Sequence, residues 1–166
     1  MKIYGDFTTS LKRALSEIDK DWESYQGLVI AGTHNPKKDE VPMLLQEIKE
    51  ARIKKMPTLL ICYGHQLGAI EWARSVMDIK DATSEEFGKG TFVVKLRAEG
   101  LSVGLKNGES YWNNYEVRED VWQDWFLHRP ESQFSTQFHP EYQSRIDEPH
   151  PYLVGFINFI KNYVEV

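Results

Sequence analysis

Apolar positions along this chain recur with two different periods, and the switches between them mark the elements. Residues 2–6 fit a short opening strand, and Leu11, Ala14, Leu15 and Ile18 then repeat at helical spacing behind a candidate cap at Thr9 or Ser10. Residues 27–32 are a brief apolar run closed by glycine at both ends, the pattern of a strand buried on both faces. A polar loop over 33–40, containing Pro36, leads into a helix whose inner face carries Leu44, Leu45, Ile48 and Ala51. Pro57 stops that helix before a second apolar run at 58–63. Strand, helix, strand in this order predicts a parallel sheet.

Gly64 opens a third helix, in which Leu67 and Ile70 face the sheet while Glu71 and Arg74 are expected to stay in water. From Thr91 the period changes. Residues 92–96, the Asn107-Gly108 turn signal and residues 111–117 read as antiparallel ribbons laid on the sheet. Val121, Trp122, Trp125 and Phe126 form an aromatic stripe at helical spacing, read as core with partner docking as the alternative. Residues 133–138 fit a last strand, and 152–164 a C-terminal helix with Val154, Ile157 and Ile160 on one face. The expectation is one α/β domain over residues 1–166, a mostly parallel sheet flanked by helices with a small antiparallel extension.

Composition narrows the function classes. The chain is 41% hydrophobic and 27% charged, with formal net charge -5 and scattered basic doublets, so it lacks the electrostatic footprint of a nucleic-acid binder. A single cysteine forms no internal disulfide, the start is polar, and no apolar run is long enough to span a bilayer, so a cytoplasmic protein without a membrane partner is expected. His34, His65, His128 and His150 show no metal-ligand spacing and are read as surface or structural; no metal or cofactor is expected.

Two segments carry chemistry. Cys62 ends the second apolar run directly before a glycine and a helix, the setting of a nucleophile elbow, where helix N–H groups lower a thiol pKa and the Tyr63 N–H faces an oxyanion. A buried structural cysteine is the competing reading. In Gln137-Phe138-His139-Pro140-Glu141, proline biases His139 toward extended backbone, and residues two apart on an extended chain share a face, so imidazole and carboxylate point together. A carboxylate-oriented histidine against a thiol is the arrangement that moves protons in acyl transfer.

Together, Cys62-Tyr63-Gly64-His65-Gln66 and Gln137-Phe138-His139-Pro140-Glu141 resemble the two signatures of class I glutamine amidotransferases. The likeness extends to the glutaminase domain of CTP synthases through Ala69-Ile70-Glu71-Trp72-Ala73-Arg74-Ser75-Val76, Asp81-Ala82-Thr83-Ser84-Glu85-Glu86-Phe87, Tyr115-Glu116-Val117 and Ser144-Arg145. This resemblance implies a flavodoxin-like fold and hydrolysis of glutamine to glutamate and ammonia through a cysteinyl thioester. It also implies roles: Cys62 as nucleophile, His139 as base and acid, Glu141 as its orienter, and Tyr63 as an oxyanion donor beside the Gly32-Thr33 loop. Gln66, Glu86, Asn114 and Tyr115 fall at substrate-binding positions. A free α-amino group calls for a carboxylate such as Glu86, although a solvated acid is the plainer reading of that residue.

Three departures from the family pattern stand out. Leu60 occupies the small-residue position two before the nucleophile, which predicts a distorted elbow. Thr33 stands where the family has the second of two glycines, and a lost oxyanion donor costs ~100 to 1000-fold in rate. Asn113 and Asn114 replace an arginine that would neutralise the substrate carboxylate. The opening segment leaves little room between Asp6 and Leu28, so a trimmed sheet edge is expected, and the synthase half is absent from these residues. The expected function is therefore amide hydrolysis of glutamine or a larger γ-glutamyl compound, with ammonia passed to a separate synthase. The alternative is an impaired pseudoenzyme acting as a ligand-binding or regulatory subunit.

Overall fold

The computed structural model of the chain describes residues 1–163. Strand β1 (Lys2–Tyr4) leads through helix α1 (Thr9–Ile18) to β2 (Leu28–Ile30), and α2 (Val41–Ile53) connects β2 to β3 (Thr58–Ile61). Helix α3 (Tyr63–Ser75) follows β3 without a loop beyond Cys62. Then come β4 (Ala82–Ser84), β5 (Thr91–Leu96), β6 (Ser102–Lys106), β7 (Glu109–Asn113), β8 (Tyr115–Val117), α4 (Glu119–His128), β9 (Gln133–Thr136) and α5 (Pro151–Asn162).

The main sheet has strand order β1-β2-β3-β9 and is parallel throughout. Side-chain alternation explains why β2 and residues 59–61 of β3 are apolar at every position. Leu28, Ile30 and Leu60 join one core with α2, α3 and α4, while Val29, Leu59 and Ile61 join the other with α1 and α5. Both faces are covered, as the apolar runs predict. The opening segment does accommodate strand, helix and strand, because α1 has only ten residues and β1 forms the sheet's edge.

The later region differs from the expected ribbons. The 111–117 segment breaks at Asn114: β7 forms a separate hairpin with β6, and β8 joins β5 antiparallel. Strand β4, which sequence periodicity did not mark, pairs with β5 in parallel. The β6–β7 turn uses Asn107 and Gly108, both at positive φ (54 and 80), the backbone that Asn-Gly turns supply.

Four local expectations change. Helix α1 starts at Thr9, and its cap residue Thr8 makes no side-chain capping bond. Glu71 is buried at 3% exposure, not wet, because Arg52 reaches it at 2.5 Å from α2; Arg74 is half-buried and donates to the Ala82 carbonyl. Of the aromatic stripe, Val121 and Trp125 are core, Trp122 is partly buried and Phe126 is exposed. On α5 the buried stripe is Leu153, Phe156, Ile157 and Ile160, with Val154 beside it; Val164, assigned to this helix by periodicity, lies outside the described residues.

Candidate active site

Three segments leave the carboxyl ends of adjacent parallel strands and meet there: residues 31–36 after β2, Cys62 after β3 and residues 137–141 after β9. This end of a parallel sheet is where α/β folds place ligands, since loops diverge there and helix N-termini point inward. Cys62 holds φ +54 and ψ -100, a conformation that costs a non-glycine residue roughly 1–3 kcal/mol. Its N–H still bonds the Thr136 carbonyl at 2.8 Å, continuing the β3–β9 ladder, while its own carbonyl accepts the Gln66 N–H at 3.1 Å and starts α3. The strand-to-helix corner is sharp enough that a Cβ on Gly64 would lie 2.3 Å from the Ile30 carbonyl oxygen, so glycine is required there.

Leu60 does not distort this corner. Its side chain is fully buried and packs toward α3, where Gly68 leaves the space for it. Thr33 is likewise accommodated: its φ is not positive, so the glycine freedom expected at this position is not used. Gly32 is the residue that matters sterically, because a Cβ there would meet Phe7 at 2.9 Å, His139 Cε1 at 3.1 Å and Cys62 Cβ at 3.6 Å. Its carbonyl accepts the N–H groups of Asp6 and Phe7 at 3.0 Å each. With the next peptide trans, the Thr33 N–H points the opposite way.

His139 is 1% exposed and its Nδ1 lies 2.5 Å from Glu141 Oε1, which is also 1% exposed. That bond engages one ring nitrogen and leaves the other for Cys62, which lies beside the imidazole against Gly32 and raises its pKa. Glu141 is placed by a 3-10 turn at Pro140–Tyr142 rather than by an extended chain, so the two-apart argument fails for His139 and Glu141 even though the turn brings the two groups together. Tyr142 stacks on the imidazole at 4.9 Å, and Arg13 of α1 ties the turn by donating to the Glu141 carbonyl at 3.0 Å. Burial opposes charge on His139, but the hydrogen bonds to Cys62 and Glu141, with their negative charges, raise its pKa to about 9. The imidazole is therefore held in its protonated form near neutral pH.

In front of the thiol is a small cavity of ≈ 100 Å³ lined by Thr33, His34, Pro36, Cys62, Tyr63, Gln66, Glu86, Trp112, Asn113, Asn114 and Tyr115. All four expected substrate-binding residues line it. Gln66 is half-committed, donating to the Tyr115 carbonyl at 3.2 Å. The Glu86 carboxyl is pushed up chiefly by burial, with Lys38 opposing. Asn113 is buried and donates to the Tyr115 carbonyl at 2.8 Å, whereas Asn114 is exposed. A larger cavity of ≈ 960 Å³, bounded by Lys54, Ser132 and Phe159, lies at the opposite end of the sheet, away from Cys62.

Two backbone carbonyls at the site escaped the sequence reading. The thiol lies 3.5 Å from the Trp112 carbonyl, and the Ser110 carbonyl accepts the His139 N–H at 2.7 Å, so the β6–β7 hairpin spans the site. Being backbone contacts, they left no residue-type signal. His34 belongs to the cavity wall, edge-on to Phe7 at 4.3 Å and Trp112 at 5.3 Å. His65 is structural: buried between Trp122 and Trp125 with Nδ1 2.7 Å from Ser135 Oγ, its pKa falls to about 3, first through desolvation and then through Arg129. Among the described residues no group of three or more potential ligands is placed to hold a metal, and no helix is long and apolar enough to cross a membrane.

The family model for class I glutamine amidotransferases matches residues 6–159. The CTP synthase of Methanoculleus marisnigri is 29% identical over 219 residues, covering 96% of this chain and 41% of that protein. The CTP synthase of Methanoregula boonei is 29% identical over 180 residues, covering 81% of this chain and 34% of that protein. The chain thus spans well under half the length of these relatives. The structure of the Trypanosoma brucei CTPS glutaminase domain with bound acivicin matches with a TM-score of 0.72 at 17% identity, covering 99% of this chain and 95% of that one, which shows a shared fold. On the match across nearly its whole length, the chain belongs to the class I glutamine amidotransferase family.

Proposed function

We propose that this chain hydrolyses glutamine or a related γ-glutamyl amide through a thioester on Cys62. The observation that carries the reading is the line Glu141, His139, Cys62 at the strained strand-to-helix corner, with imidazole and carboxylate 2.5 Å apart. The thiolate attacks the amide carbon, a C–S bond forms, and the carbonyl pair moves to oxygen. The Tyr63 N–H, which as the first residue of α3 has no intrahelical acceptor, and the N–H of the Gly32-Thr33 loop are the donors for that oxyanion. His139 protonates the departing nitrogen and the C–N bond breaks. Water then gives a proton to His139 and attacks the thioester, releasing glutamate and restoring the thiolate.

Glu86 is suited to the substrate's α-amino group, and Gln66, Asn114 and Tyr115 to its polar end. Ammonia or amine leaves toward a separate synthase in this reading. A second reading, a ligand-binding pseudoenzyme, draws support from the cavity wall, which holds Glu86 but no lysine or arginine for the substrate carboxylate. Incubation with a glutamine-directed diazoketone and intact-mass analysis separates the two. Hydrolase activity predicts one adduct on the wild type and none on Cys62→Ala, with ammonia released from glutamine or a γ-glutamyl amide. No adduct and no release would favour the pseudoenzyme.

A further inference from the structure

We propose that Gln137 is a thiolate-stabilising residue: its carboxamide N–H donates to the Cys62 sulfur and offsets the Trp112 carbonyl that faces the same atom. The inference rests on the reading of Cys62 as the nucleophile. Its geometry follows from the sheet. Strands β3 and β9 pair Ile61 with Thr136, and the Cys62 N–H to Thr136 carbonyl bond carries the ladder one step further, so Gln137 flanks Cys62 laterally. Gln137 brings Nε2 to 3.6 Å from the sulfur, and the His139 imidazole lies beside Cys62 against Gly32.

The surrounding groups give this contact its meaning. When neutral, the thiol has one proton to donate, and the Trp112 carbonyl at 3.5 Å accepts it. Once the sulfur is ionised, that carbonyl presents a lone pair to a negative charge and opposes it. His139 supplies one compensating donor, and Gln137 supplies the other. The far end of the same carboxamide sets Gln137 apart from a structural glutamine. Its Oε1 is buried without a hydrogen-bond partner among the described residues, so no bond at that end ties the side chain to the core.

Replacing Gln137 by methionine keeps the length, removes the donor and also removes the orphaned oxygen. Because Cys62 is the sole cysteine, alkylation by iodoacetamide followed by intact mass reads its ionisation alone across pH. In Gln137→Met the midpoint of the rate-against-pH curve should rise by about one unit, a roughly tenfold slower reaction below it, with a melting temperature equal to or above wild type. Gln137→Glu, which sets a carboxylate against the sulfur, should move the midpoint further in the same direction, and it decides the matter should the methionine variant fail to fold. Unchanged midpoints in folded variants would overturn the proposal. If instead the wild-type midpoint is that of an ordinary thiol while the variants still shift upward, Gln137 keeps this role and the hydrolase reading is the one that loses support.

Discussion

Leu60 fills the space that Gly68 leaves open: a Cβ on Gly68 would come within 2.7 Å of Leu60 Cδ1 and 2.6 Å of the Trp125 ring. The bulk two residues before Cys62 is thus absorbed one helical layer away, and the corner at Cys62 keeps its positive φ. Gly68→Ala should destabilise the fold by about 1–3 kcal/mol through overpacking, measured by urea unfolding. Leu60→Gly, although it restores a small residue at the elbow, should be worse, at ~3 kcal/mol or more, because it empties a fully buried site. A neutral or stabilising Leu60→Gly would show that this packing does not support the corner.

Gly32 touches both reacting side chains and the Phe7 ring, so its side-chain hydrogen is the largest substituent the site admits. Gly32→Ala should lower the rate of amide hydrolysis ~100-fold or more by displacing His139 from Cys62, while circular dichroism and unfolding remain close to wild type. Activity within a few-fold of wild type would mean that the loop yields without moving the imidazole.

The two buried histidines should give opposite pH dependences. His139, raised from 6.5 to about 9, binds its proton more tightly in the folded protein, so its stabilisation is complete below about pH 6.5 and is lost as pH rises through 9. His65, lowered from 6.5 to about 3, must stay neutral to remain buried, so its contribution is complete above about pH 6.5 and is lost as pH falls toward 3. Urea unfolding across pH should therefore show reduced alkaline loss in His139→Gln and reduced acid loss in His65→Gln, each relative to wild type. Parallel curves for wild type and His65→Gln below about pH 6.5 would show that His65 is not the group that titrates on acid unfolding.

Arg52 and Glu71 form an ion pair between α2 and α3 in which the carboxylate is 3% exposed and the guanidinium 17%. Arg52→Met should cost about 3 kcal/mol by leaving Glu71 charged and unpaired, whereas adding Glu71→Met should recover most of that loss. Equilibrium unfolding of the two single variants and the double variant, read as a thermodynamic cycle, checks this. Additive effects would mean that the pair is uncoupled.

The apolar periods were enough to locate β2, α2, β3, α3 and α5, because strands buried on both faces must be apolar throughout and helices must show a stripe, whatever surrounds them. The Cys62 and His139 segments were legible for a different reason: a lone cysteine before Gly64 and a His-Pro-Glu run stand out as residue types, although the 3-10 turn that places Glu141 did not. What one-dimensional order left undetermined depends on partners distant in the chain. Glu71 was expected in water because an acid's burial is decided by whether a cation such as Arg52 arrives from another helix. Leu60 was expected to disturb the corner because the compensating glycine belongs to α3 and its effect is steric, not compositional. Asn114 divides one expected ribbon between two sheets, and the Trp112 and Ser110 carbonyls that reach the site are backbone atoms carried by every sequence. Residue type and spacing therefore set the elements and the reactive groups, whereas only the packing of those elements against one another decided which groups share charge, space and hydrogen bonds.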